Sequence, residues 1–344
     1  MMRGLRCVAL TCALSLVATS ALASPKVTDG KSHSEPGKAA KARDKAQLAF
    51  QRDLVSVLAP SADALPLLGA ALLARPLFNQ PPGNSFHSLI ERAAQAEGAD
   101  VAVNWTRLAD CDEKADACPN TAALDQLLTE APDNAAVWLL KLGVDARSMR
   151  HEAAREDLRK AAAAKMYDDY TGTSLKALAA SVGMLPPPPE TLDPAQAAGA
   201  VGMQAMLAYG LASTQPQPSL QLIAKLCENS AEDASIKADC LKLGKTLEWG
   251  SSPLARSLGL HLREVLADDP AQKEDAQHAR LNLIWQVRSF AQLVARTQDD
   301  ASQAQRLLAL ARNGGTEMSL MLAALRDNGI STDAPAGWKP HKAE

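Results

Sequence analysis

This chain is poor in aromatic residues and has no excess of basic ones. Of 344 residues only three are Tyr, four Phe and five Trp. A dense aromatic core is therefore excluded, and many small alanine- and leucine-lined contacts must supply the stability. No run alternates β-branched and polar residues as a half-buried strand would, which points away from a sheet. A formal net charge of −3 lacks the basic face expected of a nucleic-acid binder. After the first 22 residues, no apolar run is long enough to cross a bilayer. Linear catalytic signatures are also missing: there is no His-Glu-x-x-His, no Gly-x-Ser-x-Gly and no glycine-rich phosphate loop. His33, His87, His151, His261, His278 and His341 are scattered, and His151-Glu152 has no second histidine four positions on. The sequence thus points to no catalytic residue, no metal ligand and no cofactor.

What is present begins with an export signal. Arg3 and Arg6 form a short basic start, Cys7 to Leu22 carry no charge, and Ala21-Leu22-Ala23 fits a small-x-small cleavage pattern before Ser24. The apolar stretch is too short to span a membrane, so residues 1–23 read as a removed signal peptide. Cleavage leaves 34 basic and 39 acidic side chains, a net charge of −5. Residues 24–43 read as a disordered polar leader, in which Lys26, Lys31, Lys38, Lys41 and Arg43 are interrupted by Ser, Gly, Pro and acids. A weak contact with anionic lipid or cell-wall polymer is the alternative use of those charges. The expected location is the periplasm of a Gram-negative bacterium, or the exterior.

Four cysteines remain after cleavage: Cys111, Cys118, Cys227 and Cys240. They allow three pairings, and an oxidising compartment makes disulfides the expected state. Proximity favours Cys111–Cys118 and Cys227–Cys240, each pair bracketing a polar loop. Neither spacing matches the close pairs of structural zinc sites. A staple across the longer loop of about 14 residues would contribute about 3 kcal/mol.

Helical spacing of apolar residues runs through nearly the whole chain. One expected stripe carries Leu281, Ile284, Val287 or Arg288, Ala291 and Val294, and another Ala304, Leu307, Leu308 and Ala311. Asp133 and Asn134 can cap a helix after Pro132, and Asp193 before Pro194 offers a second start. Gly329 falls where a left-handed C-terminal residue is expected, and Gly314-Gly315 reads as a turn. Trp105, Trp138, Trp249 and Trp285 are the expected large anchors.

From Pro132 to Ala162 the sequence reads as two short amphipathic helices joined by a tight turn. Trp138 stands as a bulky first-helix residue, Ala154 as a small residue of the second helix, Leu158 as a larger apolar one and Ala161 as a second small one. On these residues the segment resembles a tetratricopeptide repeat. The family's leucine-glycine pair would fall on Lys141 and Leu142, where the match fails. Cys240 lies 102 residues beyond Trp138, three times the period of about 34 residues. There Leu243 and Gly244 restore the pair, with Leu247 one turn later. Intermediate frames near Gly172 and Met206 are poorer. The resemblance implies an all-α array of antiparallel helical hairpins, a superhelix whose concave face binds protein or peptide.

Two breaks interrupt the pattern. Pro186 to Pro189 form a stiff extended connector, and Gln80-Pro81-Pro82-Gly83-Asn84 separates an N-terminal helix pair, Ala46–Leu58 and Ala62–Ala74. Neither divides the helical-repeat region, residues 44–330, into separate domains, and residues 331–344 read as a tail. The acid pairs Asp168-Asp169, Asp268-Asp269 and Asp299-Asp300 fit solvated helix junctions. Asp168-Asp169-Tyr170, near Tyr167, is the group that stands out, because two of three tyrosines gather there. Asn104-Trp105-Thr106 matches a glycosylation sequon on a helix that Trp105 would bury. The expectation is a non-catalytic, exported binding scaffold for a protein or peptide. The alternatives are an envelope enzyme or enzyme subunit with its site in an inter-helix cleft, and a purely structural or stress-related envelope protein. A deep closed cleft with two acids would favour the enzyme.

Overall fold

The structure, a computed structural model, describes residues 36–340 apart from 116 and 230–232. The expected signal peptide, residues 24–35 of the leader, His33 and His341 lie outside the described residues. Among the described residues there are fifteen α-helices and no strand, only two isolated bridges, Asp63 with Glu97 and Asn134 with Met166. The fold is all-α, as alanine-rich helical spacing dictates. In order the helices are α1 (Pro36–Leu58), α2 (Ala64–Ala74), α3 (Phe86–Gln95), α4 (Val101–Arg107), α5 (Thr121–Glu130), α6 (Ala135–Arg147), α7 (His151–Ala163) and α8 (Thr171–Ser181). Then follow α9 (Gly199–Ala212), α10 (Leu220–Glu228), α11 (Ala234–Glu248), α12 (Pro253–Leu266), α13 (Pro270–Arg296), α14 (Ala301–Asn313) and α15 (Glu317–Asp327). No helix among the described residues is long and apolar enough to cross a membrane.

Caps set most helix starts. Asn134 accepts from Ala136 N, Asp100 from Ala102 N, Asp233 from Ser235 N, and Asp300 from Gln303 N, each satisfying an otherwise orphaned amide. Asp193 also accepts an amide, that of Ala195, yet α9 starts only at Gly199, so Pro194 sits in a turn. Helix α1 starts at Pro36, earlier than the sequence suggested. Alanines 39, 40 and 42 are strong helix formers, and Arg43 pairs with Asp193 at 3.0 Å. Residues 36–43 of the expected leader are therefore helical.

Two large cores hold the molecule. The first gathers Leu54, Leu68, Leu72, Leu89, Leu178, Ala208 and Leu308 from α1, α2, α3, α8, α9 and α14. Helix α2 is its axis, buried nearly all round because its sequence, ALPLLGAALLA, offers no polar face. The second gathers Trp105, Leu127, Leu139, Leu158, Ile223, Leu243 and Leu262 from α4 to α7 and α10 to α12. Helix α4 joins the two, with Val103 in the first core and Trp105 in the second.

The hairpins α6/α7 and α11/α12 pack side by side through α7 and α11. The two frames expected between them fall on α8 and α9, which belong to the other core. Ala154, Leu158, Ala161, Leu243 and Gly244 are all buried. A Cβ on Gly244 would lie 3.3 Å from that of Leu262, and one on Gly259 only 2.6 Å from the Gly244 carbonyl oxygen. The glycines therefore set the close approach of α11 to α12. Trp138 is only half-buried: its indole donates to Pro132 O at 2.7 Å and Lys160 lies 4.4 Å over its ring. Lys141, at the mismatched position, pairs with Asp145 at 2.7 Å and Asp157 at 3.7 Å, an inter-helix charge cluster in place of the leucine.

Three further expectations are corrected. In α13 the buried residues are Ala276, Leu283, Ser289 and Leu293, while Ile284 is exposed. Apolar side chains surround that helix, and contact with Met318 and Met321 of α15 selects the Leu283 face. Trp249 is 79% exposed, because it falls off the Cys240–Leu243–Leu247 stripe at the end of α11. The tail, through residue 340, lies along α13: Trp285 Nε1 donates to Ser331 O at 2.9 Å, and Trp338 meets the Trp285 ring edge-on at 5.4 Å. Pro186–Pro189 connect α8 to α9 as expected, Pro188 taking an extended conformation before a single 3₁₀ turn.

Candidate functional site

The loop 164–170, between α7 and α8, draws three parts of the molecule together. Ala135 N donates to Met166 O at 2.8 Å, and the buried Asn134 side chain donates to Asp168 O at 2.7 Å and accepts from Asp168 N at 2.9 Å. Ser251 N donates to Tyr167 O at 3.0 Å, and Met318 N to Ser251 O at 2.9 Å. The loop is thereby fixed to the starts of α6 and α15 and to the turn before α12. Tyr170 ends it at φ 54°, a left-handed conformation uncommon for a bulky side chain. Its ring lies 5.5 Å from that of Trp105, and Asn134 Nδ2 reaches its hydroxyl at 3.1 Å. Such a held conformation marks a position whose surroundings over-determine it.

Asp169 is fully buried, unlike the solvated cap the sequence suggested. Its Oδ2 accepts from Gln217 Nε2 at 3.1 Å and its Oδ1 from Ser251 Oγ at 3.4 Å. Burial, then the charge of Asp169, pushes the Glu317 carboxyl up to about 8. Burial also raises Asp168, against its hydrogen bond from Tyr170 N. Glu317 and Asp168 thus resist carrying charge in this desolvated region.

An open cleft of about 520 Å³ lies beside this cluster, with Met166, Asp168, Lys245, Trp249, Arg256 and Thr316 in its walls. Trp249 and Met166, 79% and 47% exposed, give it an apolar rim. Arg256 donates from Nε to Gly250 O at 2.9 Å, and burial holds its guanidinium below its ordinary value, with Glu248 opposing. A larger open cleft of about 750 Å³ lies on another side, lined by Arg75, Glu113, Arg147, Thr214 and Gln217 and edged by Cys111 and Cys118. Gln217 and Ser251, each in the wall of one cleft, both bond to Asp169.

Both cysteine pairs stand at disulfide distance, with Cα separations of 5.1 Å for Cys111–Cys118 and 5.7 Å for Cys227–Cys240. The second pair is fully buried and the first partly exposed. His87 pairs with Asp110 at 2.8 Å and His261 with Glu228 at 2.6 Å. Among the described residues no group of three or more His, Cys, Asp or Glu could hold a metal ion. Asn104 of the sequon is buried and bonds Glu130 at 2.9 Å. The sequence singled out Asp168, Asp169 and Tyr170. It did not join them to Glu317, Ser251 and Gln217, which lie far away along the chain and carry no shared motif. Comparison with protein-family models, curated proteins and solved structures finds no match.

Proposed function

We propose that the protein is an exported, non-catalytic helical scaffold that holds a segment of another protein in the cleft beneath Trp249. The observation that carries this reading is the exposure of Trp249, 79% free beside Met166 at an open cleft. Large exposed aromatics with an apolar neighbour are the usual anchors of protein recognition. The rigid loop 164–170 supports a preformed site, which lowers the ordering cost of binding. Asp169 is enclosed and engaged by Gln217 and Ser251, as a structural acid is. Export is supported by the signal-like first 23 residues and by two cysteine pairs at disulfide distance. The tetratricopeptide resemblance of the α6/α7 and α11/α12 hairpins supports the same class of role.

The test is capture from envelope extract with the mature protein and with Trp249→Ala, run in parallel. A protein retained by the first and lost from the second supports the reading. Equal recovery by both, or no specific recovery by either, overturns it.

A further inference from the structure

We infer that the cleft beneath Trp249 takes an acidic peptide segment, one carboxylate meeting Arg256 and Lys245 while a neighbouring apolar side chain packs on Trp249 and Met166. This deepens the proposed binding role and rests on it. The cleft carries unpaired positive charge. Three cations line the cleft: Lys165, Lys245 and Arg256. Lys165 is already spent on Asp133 at 2.6 Å, whereas Lys245 and Arg256 make no ion pair among the described residues. Arg256 is the more telling of the two. Its side chain is partly buried and its Nε is committed to the Gly250 carbonyl, which fixes the guanidinium plane. A desolvated guanidinium without a carboxylate is costly, and a bidentate acid is its natural complement.

The carboxylates near the cleft do not cancel this charge. Glu248 is bound by Arg263 at 2.7 Å, Asp169 is engaged by Gln217 and Ser251, Asp168 accepts from Tyr170 N at 2.9 Å, and burial pushes Glu317 up to about 8. The rim decides between classes of anion. A thioether beside an indole suits an apolar peptide side chain, whereas a polysaccharide would ask for a ring of hydroxyl-directed donors and acceptors. An acidic peptide with interspersed aromatic residues fits both halves of the cleft.

The probe is a fluorescein-labelled decapeptide alternating glutamate and phenylalanine with glycine, followed by anisotropy titration against the mature protein. Its glutamine counterpart and an oligogalacturonate of equal charge serve as comparisons. The acidic peptide should bind about tenfold more tightly than the glutamine version. Arg256→Gln and Lys245→Gln should each reduce that preference, with Arg256→Lys retaining part of it. Trp249→Ala should weaken both peptides alike. Lys245 is exposed, so its variant keeps the test sound if Arg256→Gln disturbs the Gly250 turn. Binding of both peptides with equal strength, lost in Trp249→Ala, leaves the binding role standing and overturns the acidic preference. Tighter binding of the oligogalacturonate overturns the peptide in favour of a glycan. No Trp249-dependent binding by any probe overturns the inference here, while the capture experiment judges the binding role by itself.

Discussion

Glu317 opens helix α15 beside the buried Asp169, and its carboxyl keeps its proton at neutral pH. Burial, with Asp169 adding to it, moves Glu317 from its ordinary 4.5 to about 8. The folded protein therefore holds a proton there that the unfolded chain has released. The resulting stability is complete below about pH 4.5 and is lost as pH rises through 8. Asp157, raised to about 6 by burial and then by Asp145, adds a smaller loss between about pH 4 and 6. Denaturant midpoints measured from pH 4 to 9 should fall across this range. Glu317→Gln should flatten the upper part and raise stability at pH 9, and Asp157→Asn should flatten only the lower part. A profile in Glu317→Gln that still falls from pH 6 to 9 as in the parent would refute the assignment.

Gly172 and Gly315 touch where α8 begins and α14 gives way to α15. A Cβ on Gly172 would lie 1.8 Å from the Gly315 carbonyl oxygen, and backbone cannot step aside as a flexible side chain can. Gly172→Ala should cost at least about 3 kcal/mol. Gly210, on the exposed side of α9, has nothing within 4 Å. Gly210→Ala should stabilise by about 0.5–1 kcal/mol. Chemical denaturation of the two variants gives opposite signs if the packing is right.

The tryptophans separate by burial. Trp105 is fully buried and donates to Pro216 O at 3.1 Å, so Trp105→Ala should cost about 3–5 kcal/mol. Trp138 keeps one face in solvent beneath Lys160, and Trp138→Ala should cost about 1–2 kcal/mol. Equal costs in urea titrations would contradict the placement of Trp138.

The two cysteine pairs should differ in their response to reductant. Cys227 and Cys240 are fully buried, whereas Cys111 and Cys118 are partly exposed at the rim of the larger cleft. Under mild reduction of the native protein, alkylation and mass mapping should label Cys111 and Cys118 first, with Cys227 and Cys240 reacting only on unfolding. Simultaneous labelling would show that the second pair is not enclosed.

How much of this could be read beforehand depended on how local the determinant was. Helical content, the α14 stripe, the Asn134 cap and both cysteine pairs follow from residues close together in sequence, and all were legible. The α13 face was not, because apolar side chains surround that helix and distant residues choose among them: Leu260, Met318 and Met321 at Leu283, and Leu307, Ala324 and Leu325 at Leu293. Trp249 could have been read correctly, since its offset from the Cys240–Leu243–Leu247 stripe places it off the buried face. Asp168 and Asp169 were visible as an unusual group, but their partners Glu317, Ser251 and Gln217 are brought in by tertiary packing alone.

The first core draws α1, α2 and α3 from the beginning of the described chain, α8 and α9 from its middle and α14 from near its end. The second is complete within α4 to α12. During synthesis, the early helices therefore wait with their apolar faces uncovered until residues 301–313 arrive. Helix α2, with no polar side to turn outward, is the segment most exposed to misassociation in that interval. A chain of this design favours delivery in one uninterrupted length, because a product truncated before α14 would leave that first core without one of its walls.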